Sequence, residues 1–157
     1  MSLKRGEYFV GDPSYVLNSR MMVETDLTWD LILNQTGHFG IYIPWTNKPR
    51  SNPSTGIFKI EGFNLFASST TYGDGVYLDQ RSNRYCVDSG LIGAVPVDLI
   101  RKLGGDESVS RLSTEFFASL GRVFTFDKDF YCELCDEDGD ITIGSVVIST
   151  DDFSRYG

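Results

Sequence analysis

Short apolar runs cut by Gly, Pro, Asn and Asp recur along most of the chain, a pattern that predicts strands rather than long helices. Glu7 to Val10 reads as a first strand, broken at Gly11-Asp12-Pro13, where Pro13 lacks an N–H and pushes Asp12 toward extended angles. Met1-Ser2-Leu3 is assigned no element. A helix is expected over Thr25 to Leu33, capped by Thr25, with Leu27, Leu31 and Ile32 on one face. Phe39 to Pro44 alternates as a strand, and Thr46 to Thr55 reads as a loop. Strands are then expected at Gly56 to Ile60, Asn64 to Ala67, Gly75 to Leu78 and Arg84 to Val87, with Asp74-Gly75 and Ser82-Asn83 supplying turns.

Pro96 to Leu103 has a helix signature: proline at its start, Lys102 near its end, Gly104-Gly105 as the stop. Ser108 to Leu120 reads as a second helical stretch, with Leu112, Phe116 and Leu120 at spacing four. Arg122 to Phe126, Phe130 to Leu134 and Ile141 to Ser149 are the last strands, and Asp136-Glu137-Asp138-Gly139-Asp140 is the hairpin turn between the final two. The expected fold is α+β: mostly antiparallel β, a sandwich or curled sheet, with two or three short helices, in a single β-rich domain over residues 1–157.

Composition sharpens this picture. Hydrophobic residues make up 41% and aromatics 13%, enough apolar surface to offset the entropy of ordering the chain. No apolar run is long enough to span a membrane, and no apolar leader opens the sequence, so a cytoplasmic protein without membrane contact is expected. The three cysteines, Cys86, Cys132 and Cys135, suit a reducing compartment. Net charge is -8, unevenly spread: residues 1–60 hold six Lys/Arg against five Asp/Glu, whereas residues 61–157 hold eight against seventeen. An acidic second half repels phosphates, which argues against nucleic acid. Its side chains serve to keep a β-rich domain soluble; the alternative is an acidic face that meets a basic protein partner.

The motifs that carry chemistry fall short. Cys132-Glu133-Leu134-Cys135 is half a zinc site, which Cys86 and His38 would have to complete, but residues three apart on a strand face opposite ways. Counting from Asp136, Ile141 stands at the sixth position and Val147 at the twelfth, where a calcium loop needs Gly and Glu. His38 is the only histidine, and no G-x-S-x-G elbow or phosphate-loop spacing occurs. No cofactor and no metal are expected.

Two loops remain: Gly11-Asp12-Pro13-Ser14-Tyr15, and Asp88-Ser89-Gly90, which interrupts the apolar run Tyr85 to Val97. A carboxylate inside an apolar run is costly unless hydrogen-bonded. Asp12 and Asp88 are therefore expected to accept backbone N–H bonds and tie loops. The alternative is a ligand-binding cluster of Asp12, Ser14, Asp88 and Ser89 with Asp74 or Asp79. Tyr15, Trp45, Tyr72 and Tyr77 are candidate interface aromatics on loops.

The segments YFVGDPSYV, YCVDSGLIG and FYCELCDEDGDITIGSVVIST resemble a bacterial and phage domain family of unknown function. Its members run from a strand into a G/C-D-P turn, carry a V-D-S/A-G segment, and end on an aromatic-rich hairpin with a D-x-D/E-G turn. Asp12, Pro13, Asp88, Ser89, Gly90, Asp138 and Gly139 match those positions, while Leu91 and Ile92 stand where Thr-Gly usually follows. The resemblance implies a β-rich fold and an accessory role in a phage or mobile element, acting in the host cytoplasm. The expectation is a non-enzymatic binding or interaction domain with a protein partner. The competing expectation is a metal-dependent hydrolase in which an aspartate cluster holds a hard cation.

Overall fold

The computed structural model describes residues 1–17, 55–135 and 137–150. The expected helix at 25–33, the strand at 39–44, Trp45, His38, Asp136 and most of the loop at 46–55 lie outside them. Among the described residues, no helix is long and apolar enough to cross a membrane.

Two antiparallel sheets are stacked. The first, in the order β3-β4-β7-β2-β8, contains β2 (Gly6–Gly11), β3 (Thr55–Ile60), β4 (Phe63–Ser69), β7 (Leu91–Pro96) and β8 (Gly121–Phe126). The second, in the order β1-β9-β10-β11-β5-β6, contains β1 (Ser2–Leu3), β5 (Gly75–Asp79), β6 (Arg84–Val87), β9 (Phe130–Leu134), β10 (Asp140–Ile143) and β11 (Val146–Ser149). The α+β expectation holds, with sandwich-like sheets and, among the described residues, few helices.

The five-stranded sheet is apolar on both faces because layers cover both. Tyr8, Val10, Phe66, Ile92 and Ala94 point toward the six-stranded sheet and meet Tyr77, Tyr85, Ile141, Ile143 and Ile148. Phe9, Leu65, Leu91 and Val95 point the other way, onto a helical layer that supplies Leu17, Leu99, Ile100, Leu112 and Phe117. Alternation along each strand makes this division. Fully burying a side chain such as Phe9 or Phe66 stabilises by about 2 kcal/mol.

Small residues run straight across the five-stranded sheet, with Gly56 opposite Ala67, Ala67 opposite Gly93, Gly93 opposite Gly11, and Gly11 opposite Gly121. Close approach demands them. A Cβ at Gly93 would sit 2.1 Å from the Phe66 carbonyl oxygen, and one at Gly121 would meet the Val10 carbonyl and the Phe9 ring.

Several expectations are corrected. Leu91–Pro96, left as part of an apolar run, is a central strand, buried throughout and paired with both β2 and β4. Ser2–Leu3 pairs with Tyr131 and Phe130, an element with no local signal. Ile141 to Ser149 is two strands, because Gly144 adopts φ 60 and turns the chain back. Thr55 opens β3 rather than closing a loop.

The helices differ from expectation too. A helix, α1, spans Ser14–Leu17, and α2 spans Val97–Arg111 with non-helical angles at Gly105, where the stop was expected. The second helical stretch does not reach Leu120: Thr114 is extended, and a 3₁₀ helix follows at Glu115–Ser119. Phe117 consequently enters the core and Phe116 is 69% exposed, the reverse of the spacing-four reading.

Candidate functional site

Three connections meet at one end of the sandwich: Asp12-Pro13 between β2 and α1, Thr70 to Asp74 between β4 and β5, and Asp88 to Gly90 between β6 and β7. Asp12 is at their centre, 0% exposed. Its Oδ1 accepts the Ser14 N–H at 2.8 Å and the Ser89 hydroxyl at 2.6 Å, and its Oδ2 accepts the N–H groups of Asp88 at 2.6 Å and Ser89 at 2.8 Å. Four donors fill the carboxylate, so its burial is compensated. The Ser14 bond is the local Asx turn that an Asp-Pro-Ser sequence favours, whereas the other three reach across more than seventy residues.

Asp88 does something else. It was expected to accept backbone N–H bonds as Asp12 does, but its own N–H is a donor to Asp12 and its carboxylate is exposed. That carboxylate accepts the Tyr15 hydroxyl. Burial first, then the bond to Asp88 and the charges of Asp88 and Asp12, push the Tyr15 hydroxyl well above the usual tyrosine range.

Asp74 joins the group from the third loop. It is exposed, and the Gly90 N–H donates to it. Partial desolvation and the negative charges of Asp88 and Asp12 raise its pKa against the lowering effect of that bond. The structure therefore brings Asp12, Ser14, Asp74, Asp88, Ser89 and Tyr15 together. Of its three carboxylates, one is sealed and two are exposed, like-charged neighbours.

Around them the loop end is closed by hydroxyls that the sequence reading missed. The Thr70 N–H donates to the Gly90 carbonyl, and the Tyr77 hydroxyl donates to the Gly73 carbonyl at 2.9 Å and to Thr70 Oγ1 at 3.2 Å. Tyr77 lies on β5, where a strand was expected, but it is only 1% exposed and part of the core, which removes it as an interface aromatic. Tyr72 is 41% exposed and Tyr15 half-buried. A run of Ser and Thr between apolar strands, Ser68 to Thr71, was the available signal for this buried network.

Asp79 stands apart from that cluster. It caps the β5–β6 hairpin, accepting the N–H groups of Arg81 and Asn83, the Asn83 side-chain amide and the Tyr85 hydroxyl. Burial alone would raise its pKa, but these bonds outweigh it and hold the carboxyl below its usual range.

The cysteines are separate free thiols. Cys132 is buried between the sheets, which pushes its thiol up to about 12, while Cys86 and Cys135 are half-buried. Among the described residues no set of three His, Cys, Asp or Glu side chains is arranged to hold a metal ion. Beside α1, a shallow cleft is lined by Tyr15, Val16, Ile100, Arg111, Leu112 and Phe117. Compared with protein-family models, curated proteins and solved structures, the chain matches none.

Proposed function

We propose that this chain is a non-enzymatic interaction domain that binds another protein through its surface. The saturation of Asp12 carries this reading. Asp12 is the residue a carboxylate-based active site would draw on first, and its lone pairs are spent on the donors that tie three loops together. A catalytic carboxylate or metal ligand needs free lone pairs facing substrate or ion. Asp88 and Asp74 keep exposed oxygens, but without Asp12 they are two carboxylates on loops. Large apolar groups at the surface, Phe116, Tyr131 and Tyr72, and the negative balance of residues 61–157 supply what contact with a basic partner uses. The resemblance to phage accessory domains fits such a role in a host cytoplasm.

A metal-dependent hydrolase built on Asp12, Asp74 and Asp88 is the second reading, favoured by the convergence of those residues. Thermal melts with and without magnesium or manganese separate the two. The interaction reading expects no ion-dependent shift. A rise in Tm for wild type that vanishes in Asp88→Asn would replace it with the hydrolase. Affinity capture from the source cells at low and high salt then tests for a partner, and retention of none at either salt would end the interaction reading.

A further inference from the structure

We propose that β8, an edge strand of the five-stranded sheet, takes up one further strand from a partner protein, which sets an Asp or Glu opposite Arg122 and apolar side chains opposite Phe124 and Phe126. The inference rests on the interaction reading above and names its surface and recognition element. β8 ends the sheet order: it pairs with β2 along Gly121–Phe126, and among the described residues no strand pairs with its other side. The N–H and C=O groups along such an edge are a template for another extended segment. No proline interrupts Gly121–Phe126, and Arg122 is its only charge. Val123 and Thr125 are exposed, and Phe116, also exposed, stands in the 3₁₀ helix that leads into the strand.

Arg122 fixes the occupant. Its register opposite Val10 points its side chain toward the six-stranded sheet, with Phe124 and Phe126 on the same side. There β6, an edge strand of that sheet, packs against β8, and the Arg122 charge acts on the Tyr85 hydroxyl, so the guanidinium sits between two sheet edges. Its Nε is buried without a hydrogen-bond partner, and among the described residues the guanidinium makes no ion pair. In a chain of net charge -8, this half-buried cation is one side of a charge-assisted pair whose other side is missing. A strand added beside β8 brings a side chain opposite Arg122 on the same face, and Asp or Glu there accepts from the guanidinium. The residues two and four further along meet Phe124 and Phe126, where apolar side chains bury the most area. β8 of a second copy does not meet this need. Opposed residues point the same way, so in a two-fold antiparallel pairing only even-numbered residues face Arg122. These are Arg122, Phe124, Phe126 and Lys128, not Asp127 or Asp129. The carboxylate is needed at one position only, which leaves the partner free to be basic elsewhere.

Two peptides test this: Thr-Val-Glu-Thr-Val-Thr-Val, which carries Glu, Val and Val on one face, and the same sequence with Lys in place of Glu. Each is titrated into ¹⁵N-labelled wild type at physiological salt, a comparison that needs no variant to fold. The Glu peptide is expected to shift the amides from Arg122 to Phe126, and the Lys peptide to leave them in place. Arg122→Gln should weaken the Glu peptide about tenfold, and Arg122→Glu should reverse the preference toward the Lys peptide. Of the two alternately N-methylated forms of the Glu peptide, one should lose binding and the other keep it, because an added strand pairs through one of its edges. Equal binding of the Glu and Lys peptides, an unchanged affinity in Arg122→Gln, or shifts confined to other strands would overturn the proposal. No shift at all would also overturn it, and would make Arg122 an inward-pointing charge that keeps the edge unpaired. Capture of a cellular partner that survives Arg122→Gln unchanged would keep the interaction reading and overturn this edge; strand uptake by the Glu peptide with no cellular partner would do the reverse.

Discussion

Strand β6 is held at both ends by a buried carboxylate, and the two ends are built differently. Asp79, before the strand, is 4% exposed and takes all four of its donors from within six residues of itself. Asp12, bound to the chain just after the strand, is fully buried and takes three of its four donors from a loop more than seventy residues away. The first is a hairpin cap, formed as soon as the turn forms. The second is a tertiary staple whose donors are brought together only when β2, β6 and β7 are in place. Equal numbers of hydrogen bonds thus report on different events: local turn closure, and assembly of the two sheets.

The largest effect that would sharpen this contrast is expected from Asp12→Ala. It strands two backbone N–H groups of the distant loop, a hydroxyl and the Ser14 N–H in a closed site, at a cost of about 3 kcal/mol or more. Asp12→Asn, which keeps one acceptor oxygen, should cost less. Urea unfolding measures both, and a loss below about 1 kcal/mol for Asp12→Ala would show that the staple is not what holds the loops.

Asp79→Ala should follow at about 2 kcal/mol, because the Arg81 and Asn83 amides lie at an exposed hairpin tip where water can replace the carboxylate, leaving chiefly the buried Tyr85 hydroxyl unpaired. Acid distinguishes this end further. The folded pKa of Asp79 lies below the ordinary 3.8, so its contribution is present above that value and is lost as pH falls through it toward the lowered one. Wild type should therefore lose more stability than Asp79→Asn in that window. Parallel pH curves for the two proteins would contradict the assignment.

Tyr15→Phe removes a hydroxyl that donates to Asp88 and should cost about 1 kcal/mol, since the carboxylate it leaves is exposed and regains water. Asp88→Asn should be as mild. A loss in either as large as that of Asp12→Ala would make Asp88 a second anchor, as its sequence context had suggested.

Smallest and opposite in sign is Asp74→Asn. The raised pKa of Asp74 means that its protonated form is favoured in the folded protein, a contribution present at low pH and lost as pH rises through the folded value. At neutral pH the ionised group faces Asp88 and Asp12, so the amide should stabilise by a few tenths of a kcal/mol, roughly the size of an exposed charge interaction. Melts at pH 7 and pH 3 check it: the gain should be present at the first and absent at the second.

What the sequence determined by itself was local. Alternation and turn chemistry located β2, β3, β4, β5, β6, β8 and β9, the stop at Gly105 and the Asp138-Gly139 hairpin, because each depends on neighbours a few residues apart. Two of the motif segments hold Asp12 and Asp88, which the structure places together; the loop of Asp74, which joins them, lies in no motif segment. Only the tertiary structure decided the rest. β7 reads as a strand once both faces are known to be covered, and β1 exists through its partner β9. The glycine row answers to the approach of neighbouring strands and of the Phe9 ring, and Tyr77 is buried because its hydroxyl finds Gly73. The unequal fates of Asp12 and Asp88, alike in sequence, have the same cause: a carboxylate's role is set by which donors reach it, and three of those that reach Asp12 are separated from it by most of the length between β2 and β7.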